Sequence, residues 1–273
     1  MMNQTVPIMT SSLANEIEAC ITAYATERLR MLRALPGNPY QADVRAFGKA
    51  TALVVGQWAD DTLSNRIGNM SGAELSSLKE ILAWYETYHA HCRFEIIPSH
   101  ADVLLLRHLA ASGFYQSGFY TVLYGVPFPQ KNPSPHIHIR KVLPQERAMI
   151  AALYLESFQV PQERVSYVQE SMGLLIEQPH TTCLFALIGQ EIAALAVLYT
   201  SHPIGYLALS ATRPSFRGRG CQKALLFHRL EIARAAQCQL IVGQADFASI
   251  SHQNMEKMGL RIAYTKADWT AFA

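Results

Sequence analysis

The stretch Arg213-Pro-Ser-Phe-Arg-Gly-Arg-Gly-Cys-Gln222 decides how the rest of the chain is read. It follows an apolar, strand-like run ending near Thr212 and precedes a helical pattern beginning near Lys223, so two glycines and two arginines fall where a strand hands over to a helix. The first turn of a helix leaves main-chain N–H groups without intrahelical partners, and the peptide dipoles add roughly half a positive charge there. Such a turn is built to hold an anion. Gly218 and Gly220 let backbone approach a phosphate closely, and Arg217 and Arg219 add charge.

Upstream of this turn lie three apolar runs, 182–188, 192–199 and 205–211, the first two joined by the two-residue connection Gly189-Gln190, which reads as an antiparallel hairpin. Before them the sequence predicts a strand over 136–142 and helices over 144–158 and 163–176. After the turn it predicts a helix to about Ala236, a strand over 239–242, a helix over 249–258 and a strand over 261–264. The first half reads as a helix over 13–34, a strand over 50–55, a loop over 60–72 and a helix over 73–91. A strand over 93–97, a helix over 101–111 and a pair of short strands near 118–124 complete it.

Between the halves, Pro127-Phe-Pro-Gln-Lys-Asn-Pro-Ser-Pro135 carries four prolines in nine residues, which cannot continue a helix or an interior strand. The expected domains are therefore 1–126 and 136–273, joined by a spacer over 127–135. The two halves also echo each other. Cys92 and Cys238 each open a strand that leaves a helix, Gly113 and Gly259 each close the next helix, and both pairs are offset by 146 residues. The repeat would put the first half's anion turn near Asn65 to Ala73, which lacks paired arginines and closely spaced glycines.

Composition limits the function. Half of the 273 residues are apolar and 16% are charged, which excludes extended disorder, and a net charge of +2 makes a poor grip on nucleic acid. The five cysteines are widely spaced with no C-x-x-C pair, as expected of reduced thiols in a cytoplasmic protein. Residues 1–12 lack the layout of a signal peptide, and no apolar run is long enough to span a bilayer, so neither membrane nor nucleic acid is expected as a partner. His136 and His138 alternate on one strand face without further ligands at a recognisable spacing, and no metal is expected.

The second half resembles the GNAT superfamily of acyl-CoA-dependent N-acyltransferases. The resemblance rests on the strand 206–212, Pro214, Arg217-Gly-Arg-Gly-Cys-Gln222 against the family's Arg/Gln-x-x-Gly-x-Gly/Ala, and the helix carrying Leu225 and Leu226. Downstream, Ser251, Glu256-Lys257 and Gly259-Leu260 resemble the family's Ser-x-x-x-Tyr-x-Lys-x-Gly-Phe ending. Two departures stand out: Gln222 replaces a small residue, and Met255 stands where tyrosine is common.

What the resemblance implies is an α/β (α+β) fold of two GNAT-like domains, the first degenerate, each a mixed, mainly antiparallel twisted sheet flanked by helices. It implies acetyl-CoA as co-substrate, with its pyrophosphate on Arg217, Gly218, Arg219, Gly220, Cys221, Gln222 and Lys223. Its arm would lie along Leu209, Ala211 and Thr212, near Ser251. The acceptor would be the primary amine of a small molecule or peptide, and the protein a monomer or homodimer. An attacking amine must lose a proton, yet 192–212 contains no carboxylate. Tyr199, His202 and Asp246 are the candidates that remain, with Tyr206 beside them. The same gaps also fit a module that binds acyl-CoA without turnover.

Overall fold

Helix α1 (Ser11–Arg33) begins at Thr10, whose side chain accepts from the Leu13 N–H. It ends with Arg30 and Arg33 where cations suit the negative end of the dipole. Strands β1 (Ala42–Phe47), β2 (Ala50–Val55) and β3 (Arg66–Gly68) follow, then helix α2 (Leu78–Glu86), strand β4 (Arg93–Ile96), helix α3 (Val103–Ala111) and strand β5 (Phe114–Gly125). The computed structural model describes residues 5–61, 64–129 and 131–271. β3 lies inside the segment read as a loop, because its three residues are too short to show a period. The strand pair expected near 118–124 is the single strand β5, and the helix expected over 73–91 is a 3-10 segment, Gly72–Ser77, leading into α2.

The second half contains β6 (His138–Lys141), α4 (Arg147–Phe158), α5 (Val165–Leu174), β7 (Thr181–Ile188), β8 (Glu191–Ser201), β9 (Ile204–Thr212) and α6 (Cys221–Ala235). β10 (Leu240–Ala245), α7 (Ile250–Lys257) and β11 (Arg261–Ala271) complete it. The Gly189-Gln190 hairpin forms, with Ile188 opposite Glu191.

Two compact units emerge, and each takes residues from both halves of the chain. The first unit contains residues 9–122 and 263–271, and the second residues 5–8 and 123–262. This division differs from the expected boundaries at both ends. The terminal strand, predicted to stop at Tyr264, runs to Ala271 and pairs antiparallel with β4 in the first unit, Trp269 opposite Phe94. Its polar residues hid its length. Lys266, 1% exposed, donates to Glu18 on α1 at 2.8 Å and to Glu95 on β4 at 3.2 Å, while the Tyr264 hydroxyl donates to Glu18 at 2.7 Å. Burial alone would raise the Glu95 pKa, but Lys266, Arg66 and Arg93 outweigh it and hold the carboxyl well below the usual range. Nor is the proline-rich stretch a free spacer. In the second unit Phe128 packs over Gly259, and Ser134 is buried against Gly220.

The sheet order is β1-β2-β3-β4-β11 in the first unit and β10-β9-β8-β7-β6 in the second. Along β1 to β4 the pairings are antiparallel, antiparallel, then parallel, and β7 to β10 repeat that order. In each unit a helix links the parallel pair, α2 between β3 and β4 and α6 between β9 and β10. Phe94, Ile81, Trp84 and Leu105 help fill the first core. In the second, Leu198, Leu207, Leu226 and Ile241 form one cluster under α6 and α7, and Ala194, Ala196, Phe216 and Leu225 form another.

Candidate active site

The turn from β9 into α6 has the geometry its sequence implies. Gly218 and Gly220 adopt φ of 76° and 88°, a region costly for residues with a Cβ, and Gly220 is the N-cap of α6 with no side-chain cap. Ala224 N–H is the first to bond back, to the Gly220 carbonyl, so the N–H groups of Cys221, Gln222 and Lys223 precede the intrahelical ladder. A Cβ on Gly220 would lie 2.9 Å from the Ser134 hydroxyl. Arg217 is partly spent on the chain itself, donating to the Ser157 carbonyl at 2.8 Å, while the Arg219 guanidinium lies 5.1 Å from the Phe216 ring centre.

Strand β9 opens beside this turn. Its parallel pairing with β10 ends at Leu207 opposite Gly243. On its other edge the register with β8 shifts: Val197 faces Leu209 and Tyr199 faces Tyr206, so Leu207 and Ala208 together oppose Leu198. This is a β-bulge, which leaves one residue out of the ladder. Between the end of β9 and the helix lies a cavity of about 460 Å³ lined by Ser157, Phe158, Ser210, Ala211, Thr212, Phe216, Arg217, Gly218, residues 220–223, Ile250 and Asn254. Within it the Ser157 and Ser210 hydroxyl oxygens are buried without a hydrogen-bond partner. Buried polar atoms are rarely left so, and two on one cavity wall mark where a ligand's polar atoms fit.

Residues 148–259 match the Acetyltransferase (GNAT) family. That match spans the turn, the cavity wall and α7. No curated protein matches the sequence. Among solved structures, a GCN5-related N-acetyltransferase from Kribbella flavida is similar at 14% identity and a TM-score of 0.64, over 90% of this chain and 96% of that one. One from Sphaerobacter thermophilus is similar at 16% identity and a TM-score of 0.60, over 99% and 96%. A tandem GNAT protein from the clavulanic acid biosynthesis pathway is similar at 13% and 0.60, over 97% of each chain. At these identities the likeness is one of fold, and it extends over most of the chain.

The two departures from the GNAT pattern have visible consequences. Gln222 turns its side chain toward α7, donating to Ser251 at 3.0 Å and accepting from Asn254 at 2.6 Å, so it ties two helices together and leaves its main-chain N–H at the cavity. Met255, 3% exposed, packs where a Cβ on Gly243 would stand, and its thioether donates no proton. Cys221 faces the core, and burial raises its thiol pKa despite Arg219, which argues against a thiolate nucleophile.

The candidate proton acceptors do not gather at the cavity. Tyr199 is 2% exposed with its ring near His180, and His202 is exposed at the β8–β9 turn, at the other end of β9 from Thr212. At about 3.3 Å per residue that end is roughly 30 Å away along the strand. Asp246 is exposed just past β10 and touches the fold through its carbonyl, which accepts from Ser249 N–H. His252 serves the backbone, its Nδ1 accepting from Ala248 N–H. The Tyr206 hydroxyl donates to Gln244 Oε1 at 2.9 Å, and the Gln244 amide nitrogen is buried without a partner. Sequence reasoning missed Ser157, Ser210 and Gln244, because lone hydroxyls and amides leave no spacing signal. No group of three His, Cys, Asp or Glu side chains suited to a metal occurs among the described residues. Nor is any described helix long and apolar enough to cross a membrane.

The first unit's corresponding turn, before α2, carries a carboxylate of its own. Glu74 accepts from the Ser71 N–H at 3.1 Å, the Ser71 hydroxyl at 2.7 Å and the Lys49 N–H at 3.2 Å. Burial alone would raise its pKa, but these bonds prevail and hold the carboxyl below its usual value. The turn is thus capped by the chain's own carboxylate, beside a cavity of about 560 Å³ lined by Ser71, Gly72, Ala73, His100 and Asp102.

Proposed function

We propose that the second unit binds acetyl-CoA in the β9–α6 cavity and transfers its acetyl group to the primary amine of a small molecule or peptide. The uncapped start of α6, opening onto a cavity with two unpartnered hydroxyls, carries this reading. When bound, acetyl-CoA supplies an activated thioester carbonyl. The main-chain N–H groups of Cys221, Gln222 and Lys223 hold the pyrophosphate, Gly218 and Gly220 allow its approach, and Arg219 adds charge. Ser157 and Ser210 meet polar atoms of the arm, and Leu209, Ala211 and Thr212 offer the open strand edge.

Acceptance of the amine's proton falls to water or to Asp246, since His202 lies at the far end of β9 and Tyr199, although it borders the bulge opposite Tyr206, is buried with its ring near His180. A transferase without a strong base is energetically reasonable. Positioning can supply ~7–11 kcal/mol, whereas acid–base assistance of ~10²- to 10⁴-fold corresponds to about 3–5 kcal/mol. The buried Met255 favours a second reading, an acyl-CoA-binding module without turnover. Calorimetry with acetyl-CoA tests the binding that both readings share, and no binding rejects both. Release of free CoA with polyamines, amino acids, aminoglycosides or peptides supports the transferase; binding with no release across that panel supports the module.

A further inference from the structure

Arg229 stands alone on the buried side of α6, among Leu225, Leu226, Leu230 and Ala233. It is 2% exposed, and burial lowers its pKa to about 9. Among the described residues no carboxylate pairs with it; its hydrogen bonds go to main-chain carbonyls. Nε donates to Leu225 at 3.3 Å, while one nitrogen, Nη1, reaches both Val197 at 3.3 Å and Leu209 at 3.2 Å. A buried cation without a counter-ion is costly, and an apolar residue of similar size would avoid that cost. Its location is what distinguishes it. Val197 and Leu209 are the register pair that borders the bulge, so Arg229 clasps β8 and β9 where Ala208 leaves the ladder and where β10 has already parted from β9. The signal was present in the sequence as an arginine four residues from both Leu225 and Ala233, on an otherwise apolar helix face.

We propose that Arg229 is a positioning residue for acyl recognition: by clasping the Val197 and Leu209 carbonyls it holds the β9 bulge in the shape that turns an unpaired main-chain N–H toward the thioester carbonyl. This rests on the acetyl-CoA reading above. Its planar guanidinium suits the task, because Nε anchored on the Leu225 carbonyl fixes the direction of Nη1, whereas a lysine ammonium has no second nitrogen to anchor and holds two carbonyls less rigidly.

The test compares acetyl-CoA with S-ethyl-CoA, a thioether of similar shape that lacks the carbonyl. The wild-type chain is expected to bind acetyl-CoA about 5-fold more tightly, the scale of one hydrogen bond. Arg229→Met is expected to bring the two affinities to within about 2-fold while S-ethyl-CoA affinity holds, with Arg229→Lys close to it. The infrared carbonyl stretch of bound ¹³C-labelled acetyl-CoA should be lowered in the wild type and return toward the free value in both variants, a shift that loss of stability alone would not cause. Full discrimination in a folded Arg229→Met chain overturns the proposal; if that variant does not fold, full discrimination in Arg229→Lys overturns it and loss of discrimination supports it. Wild-type binding of both ligands with equal affinity overturns the proposal and leaves the cofactor reading standing, whereas binding of neither rejects both.

Discussion

The turns before α2 and α6 occupy the same place in two repeats of one topology, and they answer the same electrostatic demand in opposite ways. Before α6, two left-handed glycines expose N–H groups to a cavity. Before α2, Glu74 folds back onto Ser71 and Lys49 and completes a capping box. The difference teaches that a helix start is a vacancy only when the chain declines to fill it. A single glutamate three residues past the N-cap satisfies the cap's own N–H from within the chain.

Four experiments bear on this contrast. The largest effect is expected in the first unit, whose buried charges serve stability. Lys266→Met leaves Glu18 without its cation and Glu95 with only Arg66 and Arg93, and a loss of about 3–5 kcal/mol is expected in urea unfolding, with acetyl-CoA affinity retained. Gly220→Val combines a strained φ with a clash at Ser134 and is expected to weaken acetyl-CoA binding on the order of 10²-fold by calorimetry, whereas Gly72→Val leaves that affinity unchanged. An equal loss from Gly72→Val would break the contrast.

Glu74→Ala removes the internal cap at a cost of about 1–2 kcal/mol, and binding stoichiometry should stay at one acetyl-CoA per chain. The sign of its pH dependence follows from a depressed folded-state pKa. Glu74 and Glu95 contribute their stability above the unfolded carboxylate value of about 4.3, and that contribution is lost as pH falls through their folded values. Acid unfolding followed by circular dichroism should therefore lose part of its pH dependence in Glu74→Ala. The smallest effect, about 3- to 5-fold in acetyl-CoA affinity, is expected for Ser210→Ala; no change would remove that hydroxyl from the site.

Much of this was legible in the residues. Strand β2 falls on the predicted 50–55, and the second half follows its predicted element order, because alternation and helical spacing are strong there. The turn with Gly218 and Gly220 was legible because only glycine takes those φ values cheaply. What failed did so for local reasons. β3 is three residues long, and β11 buries Lys266, which reads as a surface residue until Glu18 and Glu95 are seen beside it. The bulge in β9 and the unpartnered hydroxyls depend on register and depth, which a linear pattern does not encode.

The assignment of residues 263–271 to the first unit has a consequence for how the protein is made. On the ribosome, α1 and β4 emerge early, carrying Glu18 and Glu95, while the lysine they share lies on β11, beyond the whole of the second unit's long segment. At ~5–20 residues per second, all of Leu123–Ile262 takes on the order of ten seconds to pass before Lys266 exists. For that interval the amino-terminal unit is an unfinished sheet with an open β4 edge and Glu18 still without Lys266, and its completion waits for β11.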